Sequence, residues 1–173
     1  MVKKISPYDL HYNTFDLIEN QWMLITAGNK QGLNMMTANW GGFGFLWDKP
    51  VITCYIRPQR YTRQFIDRNE YLSLSFFESN YREVLKFCGE KSGLYCDKIA
   101  FSGLTPVYDM LAPYYKEAKL VIICRKMYCQ QMDSSNFIDK SIDKQNYSDG
   151  DYHFMYICEI VDSFIQSNDG LDR

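Results

Sequence analysis

Apolar runs rich in β-branched and aromatic residues recur along this chain with short gaps between them. QWMLITAG (21–28), VITCYIR (51–57), YLSLSFF (71–77), AKLVIICRKMYCQQM (118–132) and YHFMYICEIVDSFI (152–165) all read as strands. Branched and flat side chains fit a pleated, half-buried surface, and YLSLSFF alternates with the strand period of two. Turn chemistry separates the runs: Asn29-Lys30-Gln31-Gly32, where Gly32 supplies a positive φ, then Asp48-Lys49-Pro50, then Pro58, which cannot donate to a ladder. LNMMTANW (33–40) is a further extended piece, pairing with QWMLITAG as a hairpin across the first of these turns.

Helical spacing is confined to short stretches. Asn13 or Thr14 caps TFDLIEN, residues 61–68 place Phe65 and Ile66 inward, and Asn80 caps NYREVLKFCGE, with Val84, Leu85, Phe87 and Cys88 on one face and Gly89 and Gly93 ending it. Strands that follow strands in this way favour an antiparallel barrel or sandwich with a few helices packed on it, and disfavour a parallel βαβ sheet. FIDKSIDKQNYSDGD (137–151) is the most polar and most mobile connection, with Phe137, Ile138 and Ile142 anchoring a helical turn. No repeat or linker divides the chain, so residues 1–173 are expected to form a single domain.

Residues 31–47, QGLNMMTANWGGFGFLW, form the longest run without a charge. Four Gly, two Asn, a Gln and a Thr disqualify it as a membrane span, and the same polarity and Gly content rule out a core helix. On a strand, Asn34, Met36 and Ala38 face one way and Met35, Thr37 and Asn39 the other. Trp40 and a Gly-rich turn follow, and Gly lets backbone approach a flat ligand closely. A core strand with a loose turn explains the same residues, and the segment alone leaves both open.

Several function classes are excluded. A net charge of -2 without a basic stripe argues against nucleic acid. No secretory apolar stretch follows Lys3 and Lys4, and no window of 18 apolar residues exists, so a cytoplasmic protein without a membrane span is expected. The six Cys have no metal-ligand cadence and only two His are present, so no metal site is expected and the thiols read as reduced and mostly buried. GGFGF is not a dinucleotide fingerprint and GEKSG is not a phosphate loop. RPQRYTR (57–63) is more informative. A strand turns into a helix there, with Arg57, Arg60 and Arg63 three apart and Arg60, Tyr61 and Thr62 near the helix start, where free N–H groups and forked guanidinium donors suit a phosphate. A solvated basic face is the competing account.

Together, GLNMMTANW and YIRPQRYT resemble the flavin reductase-like family of FMN-binding split barrels, which includes flavoredoxins. Asn34, Met36, Thr37, Ala38 and Trp40 match an N-x-M-T-A-x-W segment that lies along the flavin, with Asn39 where Ser is common. Arg57, Arg60 and Thr62 match an R-x-x-R-x-T turn that holds the FMN phosphate. Gly89, Ser92, Gly93, Asp97, Lys98, Gly103, Leu104, Thr105 and Pro106 match a G-x-x-S-G…D-K…GLTP passage. Gly150, Asp151, His153 and Glu159 match a C-terminal G-D-H…G-E-V strand, with Tyr152 inserted and Cys158 in place of Gly.

The resemblance spans about residues 20–165, in order. It implies a mainly β, antiparallel Greek-key split barrel and a non-covalent FMN site formed by Asn34, Met35, Met36, Thr37, Ala38, Asn39, Trp40, Ile56, Arg57, Arg60, Tyr61, Thr62 and Ser92. His153 is the implied catalytic residue, orienting a nicotinamide or the flavin edge. The implied activity passes hydride from NADH or NADPH to flavin and on to free flavin or a protein acceptor, in a homodimer. A non-catalytic FMN or heme carrier of the same fold is the alternative.

Overall fold

The computed structural model describes residues 2–166. Ten strands lie among the described residues: β1 (Val2–Lys4), β2 (Met23–Asn29), β3 (Gly32–Ala38), β4 (Gly41–Leu46), β5 (Lys49–Ile56), β6 (Tyr71–Phe76), β7 (Pro106–Val107), β8 (Tyr114–Tyr115), β9 (Leu120–Gln131) and β10 (Phe154–Gln166). The helices between them are α1 (Thr14–Asp16, continued by a wider turn Leu17–Gln21), α2 (Thr62–Arg68), α3 (Arg82–Glu90), α4 (Lys98–Ser102) and α5 (Lys140–Asn146).

The main sheet is antiparallel throughout, in the order β3-β2-β6-β9-β10-β5-β4, with β1 added to β10. The connection from β5 to β6 passes over β10 and β9, which is the Greek-key step. Register shifts between Ile157 and Cys158 and between Ile160 and Asp162 bend the two longest strands, and bulges of this kind increase twist. The sheet therefore curls until Ile25 of β2, Met36 of β3, Ile52 of β5, Leu74 of β6, Ile122 of β9 and Ile160 of β10 share one interior. β3 and β4 end the hydrogen-bonded path without pairing to each other, so the barrel is split there, and Asn39 and Trp40 cross the gap.

A second apolar cluster covers the outside of β2, β6 and β9. Leu24, Val121, Ile123 and Phe164 pack there against Leu85 and Cys88 of α3 and against Leu104, Ala112, Tyr114, Tyr115 and Ala118. Each fully buried aliphatic side chain contributes roughly 1.5–3 kcal/mol, so strands covered on both faces form the stiffest part of the barrel.

This double cover corrects the half-buried reading of YLSLSFF: Ser73 and Ser75 are completely buried, and Ser73 Oγ donates to Pro113 O. Gly32 does not have positive φ. The β2–β3 pairing instead needs Gly28 (φ 127), where a Cβ would come within 2.5 Å of Leu33 Cα. The Gly-rich segment is not a turn but β4 itself, and the turn falls on Trp47 and Asp48, both with positive φ, between the paired Leu46 and Lys49. α3 is entered through Ser79–Tyr81 without a side-chain cap from Asn80. Among the described residues no helix is long and apolar enough to cross a membrane.

Candidate functional site

Edge strand β3 presents alternate side chains to two environments. Met36 and Ala38 join the barrel interior, while Met35 packs outward against Tyr115, whose hydroxyl donates to Met35 Sδ at 2.7 Å. Thr37 also points outward and donates its hydroxyl to Leu85 O of α3. Asn34, 6% exposed, donates from Nδ2 to Thr62 Oγ1 at 3.1 Å, and Thr62 is only 1% exposed. The loop after α3 closes over this pair. A Cβ at Gly93 would lie 2.8 Å from Asn34 Cγ, so glycine is what lets the loop backbone seat on the amide.

Two cations meet beside Asn34 and Thr62. The final carbonyls of a helix have no partner inside it, and two of those on α3 are taken by side chains. Arg60 Nη1 donates to Gly89 O, and Lys98 Nζ donates to Cys88 O at 2.7 Å and to Met35 O at 2.8 Å. A guanidinium has five N–H donors and an ammonium three, so both keep donors in reserve. Burial holds the Lys98 ammonium below its usual pKa, and Arg60 pushes it further down. Arg60 is lowered as well, by burial first and by Arg57 second. Among the described residues neither cation is in an ion pair. A cavity of about 340 Å³ lies between them, lined also by Tyr61, Thr62, Ser92 and Gly93, with Glu90 and Lys91 offsetting each other at its exposed mouth.

Met36 and Arg60 line this cavity and also a second one of about 330 Å³, so the two form one groove. Thr37, Ala38, Asn39, Trp40, Tyr55, Arg57 and His153 complete the second part. Charge is satisfied differently there. Arg57 forms an ion pair with Asp151, donates to Asn146 O at 3.0 Å and lies over the Tyr147 ring at 5.3 Å. Gln59 Nε2 donates to the same carboxylate at 2.7 Å, and the hydrogen bonds from Gln59 and Arg57 hold the Asp151 carboxyl below its usual range. His153, 7% exposed, has Nδ1 2.9 Å from the Tyr147 hydroxyl and its ring centroid 4.9 Å from that of Trp40. Burial, aided by Arg57, pushes its pKa down to about 4, so the ring is neutral at pH 7.

Most of the expected cofactor residues thus line one groove, with three differences. Met35 turns its side chain away from it, Ile56 is buried in the barrel interior, and the Thr37 hydroxyl is already committed to α3. At seven residues α2 is also short, so side chains rather than a helix end make the cationic pole. Lys98, Gln59, Tyr55 and Tyr147 were not expected in the site. Lys98 sits in the D-K passage but is placed by α4, whose N-cap Asp97 accepts from Ala100 N and which the sequence reading did not foresee.

The flavin reductase like domain matches residues 15–172. The chain belongs to this family. Solved structures agree on the fold of this flavin reductase-like chain. Flavoredoxin from Methanosarcina acetivorans superposes with a TM-score of 0.68 at 20% identity, covering 95% of this chain and 76% of that one. An FMN-binding protein from Thermus thermophilus, solved with bound p-hydroxybenzaldehyde, gives 0.66 at 16% identity, covering 95% and 79%. A split barrel domain protein from Shewanella frigidimarina NCIMB 400 gives 0.64 at 21% identity, covering 86% and 68%. No curated protein matches the chain by sequence. At these identities the likeness speaks for the split barrel of this flavin reductase-like chain, and its chemistry has to be argued from its own groove.

Proposed function

We propose that this flavin reductase-like chain binds FMN non-covalently in the groove and acts as an NADH- or NADPH-dependent oxidoreductase whose electrons pass to free flavin or a protein acceptor. The observation that carries the reading is the pair Arg60 and Lys98: two partly or wholly buried cations that form no ion pair among the described residues, with donors in reserve, beside the Thr62 hydroxyl. Buried charge is costly unless paired, and a phosphate monoester is the dianion these donors fit. Gly93 leaves the loop backbone close enough to contribute, and Ser92 beside it adds a hydroxyl.

Bound FMN would supply the two-electron redox chemistry, which needs no protein nucleophile. Met36, Ala38 and Asn39 would lie along the ring, and Trp40 and His153 would flank its edge. His153, neutral at pH 7, would orient a partner by hydrogen bonding rather than by charge. Arg57, tied to Asp151, would shape this end of the groove more than it would bind phosphate.

The test is a visible spectrum of the purified protein with FMN, before and after anaerobic NADH or NADPH. Binding and bleaching are expected. A protein that fails to bind FMN overturns the reading, and one that binds but is bleached by neither nicotinamide is a flavin carrier. We also propose a homodimer. Supporting it, edge strand β4 and the turn after it expose Phe45, Leu46 and Trp47, an apolar stretch that a second copy would cover. Sedimentation at a mass near the 20.4 kDa of one chain would overturn this part.

A further inference from the structure

Helix α5 and the residues after it deliver Tyr147 to His153 from a segment that reads as the loosest in the sequence. The phenol is buried, with its oxygen 2.9 Å from His153 Nδ1 and 3.4 Å from Met132 Sδ. One hydroxyl proton therefore has two acceptors. A thioether sulfur is a weak acceptor, whereas the lone pair of a neutral imidazole is a strong one. Burial raises the pKa of the phenol, and the Arg57 guanidinium over its ring opposes that rise, which favours the hydroxyl as donor over acceptor. Both effects send the proton to Nδ1.

We propose that Tyr147 is a positioning residue that donates to His153 Nδ1 and fixes the ring as the Nε2–H tautomer, so that the imidazole presents a hydrogen-bond donor to the groove. Trp40, tilted at 42° against the ring, restrains its rotation. No other protein group among the described residues bonds either ring nitrogen, which leaves Nε2–H for whatever the groove holds. The charged and titratable groups around the imidazole are Arg57, Arg60, Asp151 and Tyr147, while Trp40 and Met132 carry no charge. The two guanidinium groups disfavour a second proton on the ring, consistent with a fixed donor instead of a base. The tautomer is a property of the protein alone. Its use, donating to an acceptor atom of bound flavin or nicotinamide, rests on the FMN reading.

The test is nitrogen NMR of the FMN-free, ¹⁵N-labelled full chain, which has only His11 and His153 to assign. At pH 7 the His153 spectrum should show a protonated Nε2 and a bare Nδ1. In Tyr147→Phe the tautomers should mix, and the titration midpoint of the ring should rise by about one pH unit, the worth of one lost hydrogen bond. Met132→Leu removes only the weaker acceptor and should leave both unchanged. A wild-type ring protonated on Nδ1 overturns the proposal with no variant needed, so a Tyr147→Phe that failed to fold would not shelter it. Unchanged tautomer and midpoint in a folded Tyr147→Phe also overturn it, as does a switch in Met132→Leu alone. FMN is then added: movement of the Nε2 resonance supports both readings. An Nε2–H that ignores FMN supports the tautomer while counting against the flavin site.

Discussion

At one end of the groove Arg60 and Lys98 line the cavity outside any ion pair among the described residues, with Glu90 only at its exposed mouth, while at the other Arg57 is closed into an ion pair with Asp151 and His153 is kept neutral. The two ends hold the same residue type, arginine, in different surroundings. An arginine whose partners are a helix carbonyl and open space is set to receive an anion. One whose partners are a carboxylate, a carbonyl and an aromatic ring is a structural strut. Residue identity and spacing do not separate them, and the surroundings do.

The comparison breaks most readily at Arg60. Arg60→Ala should weaken FMN binding by roughly 1.5–3 kcal/mol, the worth of a hydrogen bond to a charged group, as read by fluorescence titration. An unchanged Kd would remove the cationic pole from the site. A pH series tests the neutral end. The folded-state pKa of His153 is depressed to about 4 from the ordinary 6.5, so between these values the unfolded chain holds the proton that the fold refuses. Stability should fall as pH drops through that window by about 1–3 kcal/mol, and urea unfolding of His153→Gln should show a shallower fall. Equal slopes for wild type and variant would put the ring in water.

Gly93→Ala pushes a methyl into the Asn34 amide and should cost about 1–2 kcal/mol of stability, within the usual range for overpacking, with FMN affinity falling alongside. Thermal melts that coincide with wild type would mean that the loop does not seat on Asn34. The smallest effect is expected for Arg57→Gln, which should change FMN affinity by less than about 1 kcal/mol, as befits a partly exposed charge already paired. A loss equal to that of Arg60→Ala would erase the distinction between the two ends.

The barrel was legible because its strands are long, branched and separated by turn residues, and because β3 alternates as its sequence requires. The cationic pole was half legible. Arg60 and Thr62 stand in a short turn, but Lys98 reaches them only through α4, five residues with too little periodicity to announce a helix. Ser73 and Ser75 show a related limit: polar residues at alternate positions promise solvent, and only the distant 104–118 segment reveals that the outer face is covered. The 137–151 stretch was legible in part: its helical turn forms as α5, capped by Asp139, but Ile138 and Ile142 are exposed instead of anchoring it, and Tyr147 is the residue buried, against His153.

The end of α3 has one more consequence. The side chains that close its last carbonyls are the same two that face the proposed phosphate, so the helix and the binding cavity share a single joint. An empty cavity leaves two like charges facing each other across it, and a bound dianion would draw them together. By mass action, FMN at a hundred times its Kd would add about 2.7 kcal/mol to the folded state. Protease resistance of this chain would then follow the flavin supply, with the unloaded form the first to be cleaved.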